Sequence, residues 1–152
     1  IQEDLLILHW DNNFQEHILE GGILCFPALW TLNEKINKPL SRIHKPVEQY
    51  NEKITRSVQR MFNNLKVDKP IWRANWYLYK DPELFSPLSE KFSHTTEKKY
   101  FEGDFWLRVE RQTLKRLPET NAIVFGIHTY VVNKKQLTLK QITSLKNYSL
   151  NK

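Results

Sequence analysis

The chain has 152 residues, with 23 Lys and Arg against 17 Asp and Glu, so its formal charge at pH 7 is +6. Hydrophobic residues make up 40% and charged residues 26%, and the eight Phe, six Tyr and five Trp exclude a disordered chain. A single Cys excludes a disulfide framework within the chain and a Cys-rich zinc site. We therefore expect one folded domain over residues 1–152, in a reducing, cytoplasmic compartment.

The apolar runs also limit the classes of partner. The longest, Leu5–Leu8 and Ile123–Ile127, are far shorter than the roughly 20 residues that cross a bilayer, so we expect no membrane span. Lys and Arg are spread along the chain and form no basic recognition helix, so we expect no nucleic-acid partner. The chain begins at Ile1 rather than Met, which is typical of a trimmed or partial chain.

The N-terminal part of the chain predicts a pair of strands. Asp4–Trp10 is followed by the turn residues Asp11–Asn13, and Gly21–Phe26 is followed by Pro27. We expect the two strands to pair as a hairpin with an intervening arm. Cys25 would then lie inside the second strand, where a thiol behaves as a small hydrophobe rather than as a nucleophile.

Helices are predicted in the next part of the chain. Thr31–Glu34 predicts a capping box that opens a short helix, with the Thr side chain on the third backbone N–H and Glu34 reaching back. Leu40–Lys45 is predicted to be a loop between two prolines. Apolar residues recur at helical spacing over Tyr50–Leu65, which predicts a long helix capped by Asn51.

The second half of the chain predicts further strands. Because strands and helices do not alternate regularly, we predict an α+β domain with a mainly antiparallel sheet, one long helix and short helices. In the first of these strands, Trp72 and Trp76 fall on one side and Arg73 and Asn75 on the other. The predicted elements are strands at Ile71–Tyr79, Asp104–Gln112 and Asn121–Val132, a short element at Leu114–Leu117, a long connection over Lys80–Gly103, and a basic helix or tail over Leu137–Lys152.

Two groups of polar residues are candidates for chemistry. His44 lies between Pro39 and Pro46, and a stiff segment can hold an imidazole at one angle for a metal or haem iron; the alternative is a surface or capping histidine. Arg108, Glu110 and Gln112 share one face of a strand. They form either a cross-strand ion pair or a carboxylate-binding site in which Glu110 holds an arginine in its rotamer.

The tryptophans have two interpretations. Trp72, Trp76 and Trp106 are most economically core residues, and the alternative is that they line a cofactor cleft.

Several motifs follow one another from Ile1 to about Val132, and they are Leu24–Pro27, Ile43–Val47, Trp72–Trp76, Asp81–Phe85, Leu107–Pro118 and Thr129–Val131. In these motifs and their order, the chain resembles the haem-dependent oxidative N-demethylase family, also called dimethylamine monooxygenase-like. Because several independent motifs agree, the resemblance is specific.

The resemblance implies a PAS-like haem domain. Its activity would be O₂-dependent hydroxylation of an N-methyl group of a small secondary amine, which then leaves as formaldehyde. Electrons would come from a separate NAD(P)H-dependent reductase that carries flavin and an iron–sulfur cluster. Two alternatives are a PAS-like binding or interaction module without haem, and a haem sensor without catalytic activity.

The resemblance also implies site residues. His44 becomes the candidate axial ligand of the haem iron, and Glu110 and Arg108 become candidate catalytic residues. Phe26, Trp72 and Trp76 would form the apolar slot. The candidate cofactor-binding residues are His44, Arg73, Asn75, Trp76, Arg108, Arg111, Gln112 and His128.

Three features depart from the family pattern. Family members extend upstream of the position that matches Ile1, and Ala28 and Glu48 replace the more usual Ser and Pro. His128 stands where the family typically has Arg. On an inward face His128 would be a substitute or competing ligand, and on an outward face it would be a surface ring.

Overall fold

A computed structural model describes residues 2–45, 51–90 and 103–150. In this part of the chain, no helix is long and apolar enough to span a membrane. The strands are β1 Asp4–Asp11, β2 Glu16–Ile23, β3 Ile71–Tyr79, β4 Trp106–Arg116 and β5 Ile123–Asn133, and the helices are α1 Leu32–Lys35, α2 Leu40–Ile43, α3 Glu52–Asn63 and α4 Leu139–Leu150.

The strands form one five-stranded antiparallel sheet in the order β2-β1-β5-β4-β3. The α+β class and the antiparallel sheet are therefore confirmed. The described residues contain two helices of 12 residues, α3 and α4, where the sequence predicted one long helix and left the C-terminal segment as a helix or tail.

The N-terminal hairpin forms as predicted, but its second strand lies earlier in the chain. β1 pairs with β2, with a bulge between Ile7 and Leu8. Cys25 is exposed beyond the end of β2, so the prediction that it lies inside a strand is wrong. The reason is Asp4, whose carboxylate accepts hydrogen bonds from the backbone N–H groups of Cys25 and Phe26 at 2.7 and 2.9 Å and draws the chain out of the sheet.

The later strands follow the sequence pattern closely. β3 has the predicted bounds, and β5 differs from its prediction by two residues at one end and one at the other. β4 is continuous where the sequence predicted a strand and a separate short element. It continues because Thr113 pairs with Gly126 in the ladder between β4 and β5, so the strand has no break there.

The helix termini are partly as predicted. The side chain of Asn51 caps α3 by accepting from the backbone N–H of Ile54 at 3.1 Å. The prediction of a capping box at Thr31 is wrong, because the Thr31 hydroxyl donates to the Glu34 carboxylate at 2.8 Å and caps no backbone group. Leu40–Ile43 is the helix α2 rather than a loop, since Leu40 is buried in the core and anchors this turn.

One face of the sheet, here named the covered face, packs against α1, α2 and α3. The core lies between them, and its buried residues are Leu6, Leu8, Leu19, Leu40, Phe62, Leu65, Leu114, Ile123 and Ile127. The opposite face, here named the open face, carries Trp72, which is 70% exposed. Trp76 and Trp106 are half-buried, so the prediction of three core tryptophans is wrong. Trp72 is exposed because it lies on an edge strand, on the face away from the core.

Candidate functional site

Polar side chains fill one end of the covered face. Strand pairing sets Arg73 beside Gln112 and Asn75 beside Glu110, and Glu110 in turn lies beside Thr129 of β5. We name as the polar end the buried residues Asp4, Arg108, Glu110, Gln112 and Thr129, and as the apolar end the buried residues Leu6, Leu8, Leu19, Leu114 and Ile123. Burial of so many polar groups in one place requires that they bind one another or a ligand.

Arg108 is the most deeply buried large side chain of the polar end, with 1% of its surface exposed. Its guanidinium donates to the carbonyl oxygen of Leu84 at 3.1 Å and to that of Phe26 at 2.6 Å. The same group lies 5.7 Å from the ring centroid of Tyr79. Burial raises the pKa of Tyr79 to about 12, and the charge of Arg108 opposes that rise. Arg108 therefore ties two loops to β4 and faces protein groups.

Asp4 holds one of these loops from the other side. Its carboxylate accepts the N–H groups of Cys25 and Phe26, while Arg108 binds the carbonyl of Phe26. Burial raises the pKa of Asp4, and the two backbone hydrogen bonds and the charge of Arg108 oppose this rise. The loop after β2 is thus fixed by both a buried acid and a buried base.

The two loops also bind each other. Ala28 and Ser86 form a parallel bridge, the N–H of Leu29 donates to the carbonyl of Ser86 at 2.8 Å, and the N–H of Ser86 donates to the carbonyl of Pro27 at 3.0 Å. With the Arg108 contacts, these bonds make the two loops one framework at the border of the polar end.

A chain of one ion pair and two hydrogen bonds leads from this framework toward β3. Glu110 lies 3.5 Å from Nε of Arg108, and its other oxygen accepts from Nε2 of Gln112 at 3.1 Å. Oε1 of Gln112 accepts from Nε of Arg73 at 2.8 Å. Arg73 is exposed, and its two terminal nitrogens have no hydrogen-bond partner in the described part of the chain. The chain ends in a guanidinium fork suited to a carboxylate.

His44 is the C-cap residue of α2 rather than a loop residue. Its Nδ1 lies 2.9 Å from the carbonyl oxygen of Leu40, which can only accept, so Nδ1 carries the proton. Burial lowers the pKa of His44, and the charges of Lys35 and Arg73 lower it further, while the bond to Leu40 opposes them. The ring is therefore neutral at pH 7 with the lone pair on Nε2, the form that binds a metal ion.

Buried Lys35 fixes the end of α2 that carries His44. Its ammonium donates to the carbonyl oxygen of Ile43 at 2.8 Å and pairs with the carboxylate of Glu90. Arg42 binds the same carboxylate at 3.1 Å. Hydrogen bonds to Lys35 and Arg42 keep the pKa of Glu90 below its ordinary value, although burial opposes them. These bonds hold α2 against the segment that follows β3.

The sheet separates the predicted site residues into two groups. Arg73, Asn75, Arg108, Glu110 and Gln112 lie on the covered face, the side of the sheet against which α2 packs. The other group, on the open face, contains Trp76, Arg111 and His128.

The group on the open face makes its own contacts. Arg111 and His128 lie 3.4 and 3.5 Å from the carboxylate of Glu3. The ring of His128 packs on Tyr130, with centroids 4.6 Å apart. Trp76 lines a groove of about 420 Å³ beneath α4.

The expected slot of Phe26, Trp72 and Trp76 is therefore not formed, since both tryptophans lie on the face opposite the polar end.

Sequence reasoning missed several residues of this region. Asp4 and Thr129 are polar residues at inward positions of apolar strands, which is the signal that could have found them. Lys35 and Glu90 carry no such signal. Two atoms of the polar end, Thr129 Oγ1 and Arg108 Nε, are buried with no hydrogen-bond partner among the described residues, and such atoms mark a place that a water or ligand completes.

A comparison with protein families gives a match over most of the chain. A family model described as haem-dependent oxidative N-demethylase, alpha subunit-like, matches residues 1–147 of the chain. The match covers nearly the whole chain, including α2 and all five strands.

Proposed function

Because the chain belongs to the haem-dependent oxidative N-demethylase, alpha subunit-like family, we propose that it binds haem through His44 beside the covered face. We further propose that it is the haem domain of an O₂-dependent N-demethylase of small secondary amines. The observation that carries this proposal is the bond between Nδ1 of His44 and the carbonyl of Leu40, which leaves the lone pair on Nε2.

Two of the groups that a haem needs are present around His44. A haem needs a neutral nitrogen ligand for its iron and cations for its two propionates. His44 supplies the neutral nitrogen ligand. The exposed guanidinium of Arg73, held by Gln112, supplies a cation for one propionate. The charge of Arg73 is one of the groups that lower the pKa of His44, after burial and the charge of Lys35. When bound, haem would supply the oxidation chemistry, in which O₂ and two electrons convert the N-methyl group to formaldehyde.

The residues of this chain would act by binding and orientation. Leu40 and Lys35 hold His44 from the two ends of α2. The carbonyl oxygen of Leu40 accepts the Nδ1 proton of His44, and the ammonium of Lys35 donates to the carbonyl oxygen of Ile43. Glu110 and Arg108 form the buried wall of the polar end, and we propose that they act by shaping this wall. Asn75 lies in the same row as Glu110, at the border of the site.

The topology supports a PAS-like fold for this domain. All three helices that cover the sheet are inserted between β2 and β3, and the strand order places the first two strands beside the last. The family description names an alpha subunit, which supports assembly with a further subunit. We propose that a separate NAD(P)H-dependent reductase with flavin and iron–sulfur groups supplies the electrons.

Haem binding is tested by absorption spectroscopy after reconstitution with haem. We expect a Soret band in the wild-type chain, its loss or shift in His44→Ala, and its retention in His128→Ala, the matched control on the open face. Absence of the band in the wild type, or an unchanged band in His44→Ala, would overturn the proposal. Thermal unfolding of both variants checks that the fold is retained.

Catalysis is tested separately from haem binding. We expect the haem-loaded chain to release formaldehyde from dimethylamine in the presence of O₂ and a surrogate electron donor. A chain that binds haem through His44 but releases no formaldehyde from secondary amines would be a haem sensor and not an enzyme.

A further inference from the structure

Glu110 is placed to orient other side chains. Only 6% of its surface is exposed, and both carboxylate oxygens face protein groups: Oε1 faces Nε of Arg108, and Oε2 accepts from Gln112. With Oε2 bound to Gln112, Oε1 paired with the guanidinium of Arg108 and the side chain buried, this carboxylate is poorly placed to exchange a proton with a ligand. Its effect must pass through the groups that it binds.

The amide of Gln112 transmits this effect. A side-chain amide has one donating end and one accepting end, and an ionised carboxylate can only accept. Glu110 therefore selects the NH₂ end of Gln112, which turns the oxygen end toward Nε of Arg73. Gln112 is 9% exposed, so it has little room for another orientation.

We propose that Glu110 is a positioning residue. Through Gln112 it fixes the direction of the Arg73 guanidinium, so that the two terminal nitrogens bind a carboxylate of the ligand as a preorganised fork. That this carboxylate is a haem propionate rests on the proposed function. The positioning of Arg73 does not, and it exists before any ligand binds.

The first experiment measures the positioning in the ligand-free chain. Exchange of the Arg73 Nε proton with water is followed by ¹⁵N NMR, and the signal is assigned by its loss in Arg73→Lys. We expect slow exchange in the wild type, and exchange at least about tenfold faster in Gln112→Met, which has a similar volume and no amide. The same acceleration is expected in Glu110→Asp, which keeps a negative charge beside Arg108 but withdraws the carboxylate from Gln112.

Arg111→Met is the matched control, since its guanidinium lies on the open face. We expect it to leave the exchange of the Arg73 proton unchanged. Exchange that stays slow in Glu110→Asp or in Gln112→Met would overturn the proposal.

The second experiment is a double-mutant cycle on haem affinity, measured by titration of the Soret band. We expect Gln112→Met and Glu110→Asp each to weaken haem binding about tenfold, roughly the effect of one charge-assisted hydrogen bond. In an Arg73→Met background the same substitutions should weaken binding by less than about twofold, because their effect passes through Arg73.

Full additivity in this cycle would overturn the positioning role while leaving haem binding intact. If the wild-type chain binds no haem, the proposed function fails, and the exchange experiment still decides whether Glu110 positions Arg73.

Discussion

The two ends of the covered face are built on the same strands and are buried to a similar degree, yet their chemistry is opposite. On β4, Leu114 lies in the apolar end, while Arg108 and Glu110 lie in the polar end. On β5, Ile123 and Thr129 are divided in the same way. The apolar end is what a sheet needs for stability, since its side chains only leave water.

The polar end contributes to stability in a different way. A buried ion pair contributes little to stability compared with well-packed apolar residues, but removal of one partner leaves an uncompensated charge. Arg108 and Glu110 therefore make the fold depend on a complete network without adding much stability. The comparison teaches that the apolar end stabilises the fold through burial, whereas the polar end depends on complete pairing of its buried groups.

The largest expected effect is that of Arg108→Met. It leaves Glu110 without its cation and the carbonyls of Phe26 and Leu84 without their donor, so we expect a loss of about 3 to 5 kcal/mol in the free energy of unfolding. Urea denaturation measures this loss. Arg108→Met combined with Glu110→Met should recover part of it, and a double variant that is less stable than the single one would contradict our account of the polar end.

A smaller loss of stability is expected from a substitution in the apolar end. Ile123 is completely buried, and Ile123→Val removes one methylene, so we expect a loss of about 0.5 to 1.5 kcal/mol in urea denaturation. Haem affinity should be unchanged. A loss as large as that of Arg108→Met would remove the distinction between the two ends.

Acid sensitivity is expected to come from neutral histidines beside the core. Burial lowers the pKa of His17 below its ordinary value of 6.5, and the ring packs on Phe62 and binds Gln59 at 3.2 Å. The unfolded chain then binds a proton more readily than the folded chain, so stability is lost as the pH falls below about 6.5. Denaturation at pH 7.5 and 5.5 should give a smaller difference for His17→Asn than for the wild type. An equal difference would assign the acid sensitivity to other groups, His44 among them.

The smallest effect is expected on the open face. Trp72 is 70% exposed, so Trp72→Ala should change the free energy of unfolding by less than about 0.5 kcal/mol. A loss above about 2 kcal/mol in urea denaturation would mean that this tryptophan is buried in solution, as the sequence pattern had suggested.

Local patterns in the sequence predict much of this fold. The alternation in Ile71–Tyr79 gives both the strand and the division of its residues between two faces. The alternation does not say which face of the sheet is covered by helices. A preference for burying tryptophan would place the core on the face of Trp72 and Trp76, which is the open face. The covered face is chosen by the packing of α1 to α3, which join the sheet through residues distant in sequence such as Leu40 and Phe62.

The candidate site is predictable to the same extent. The bond from His44 to Leu40 joins residues four apart in the sequence, so both partners lie within one short segment. A pattern near His44 can therefore predict this bond. The bond from Arg108 to Phe26 joins residues 82 apart, and nothing near Arg108 in the sequence identifies a backbone carbonyl as its partner. The sequence around an arginine is the same whether its guanidinium binds a carboxylate or the backbone carbonyls of a loop.

The bonds from Arg108 to the two loops also have a consequence for the order of folding. Contacts between residues so far apart close long loops of chain and form late, after local helices and hairpins. During synthesis, the hairpin of β1 and β2 can form while β4 has not yet left the ribosome, but the loop that follows β2 has no guanidinium to bind until Arg108 emerges. The framework around the polar end is therefore completed only after β4 has emerged, later than the hairpin of β1 and β2.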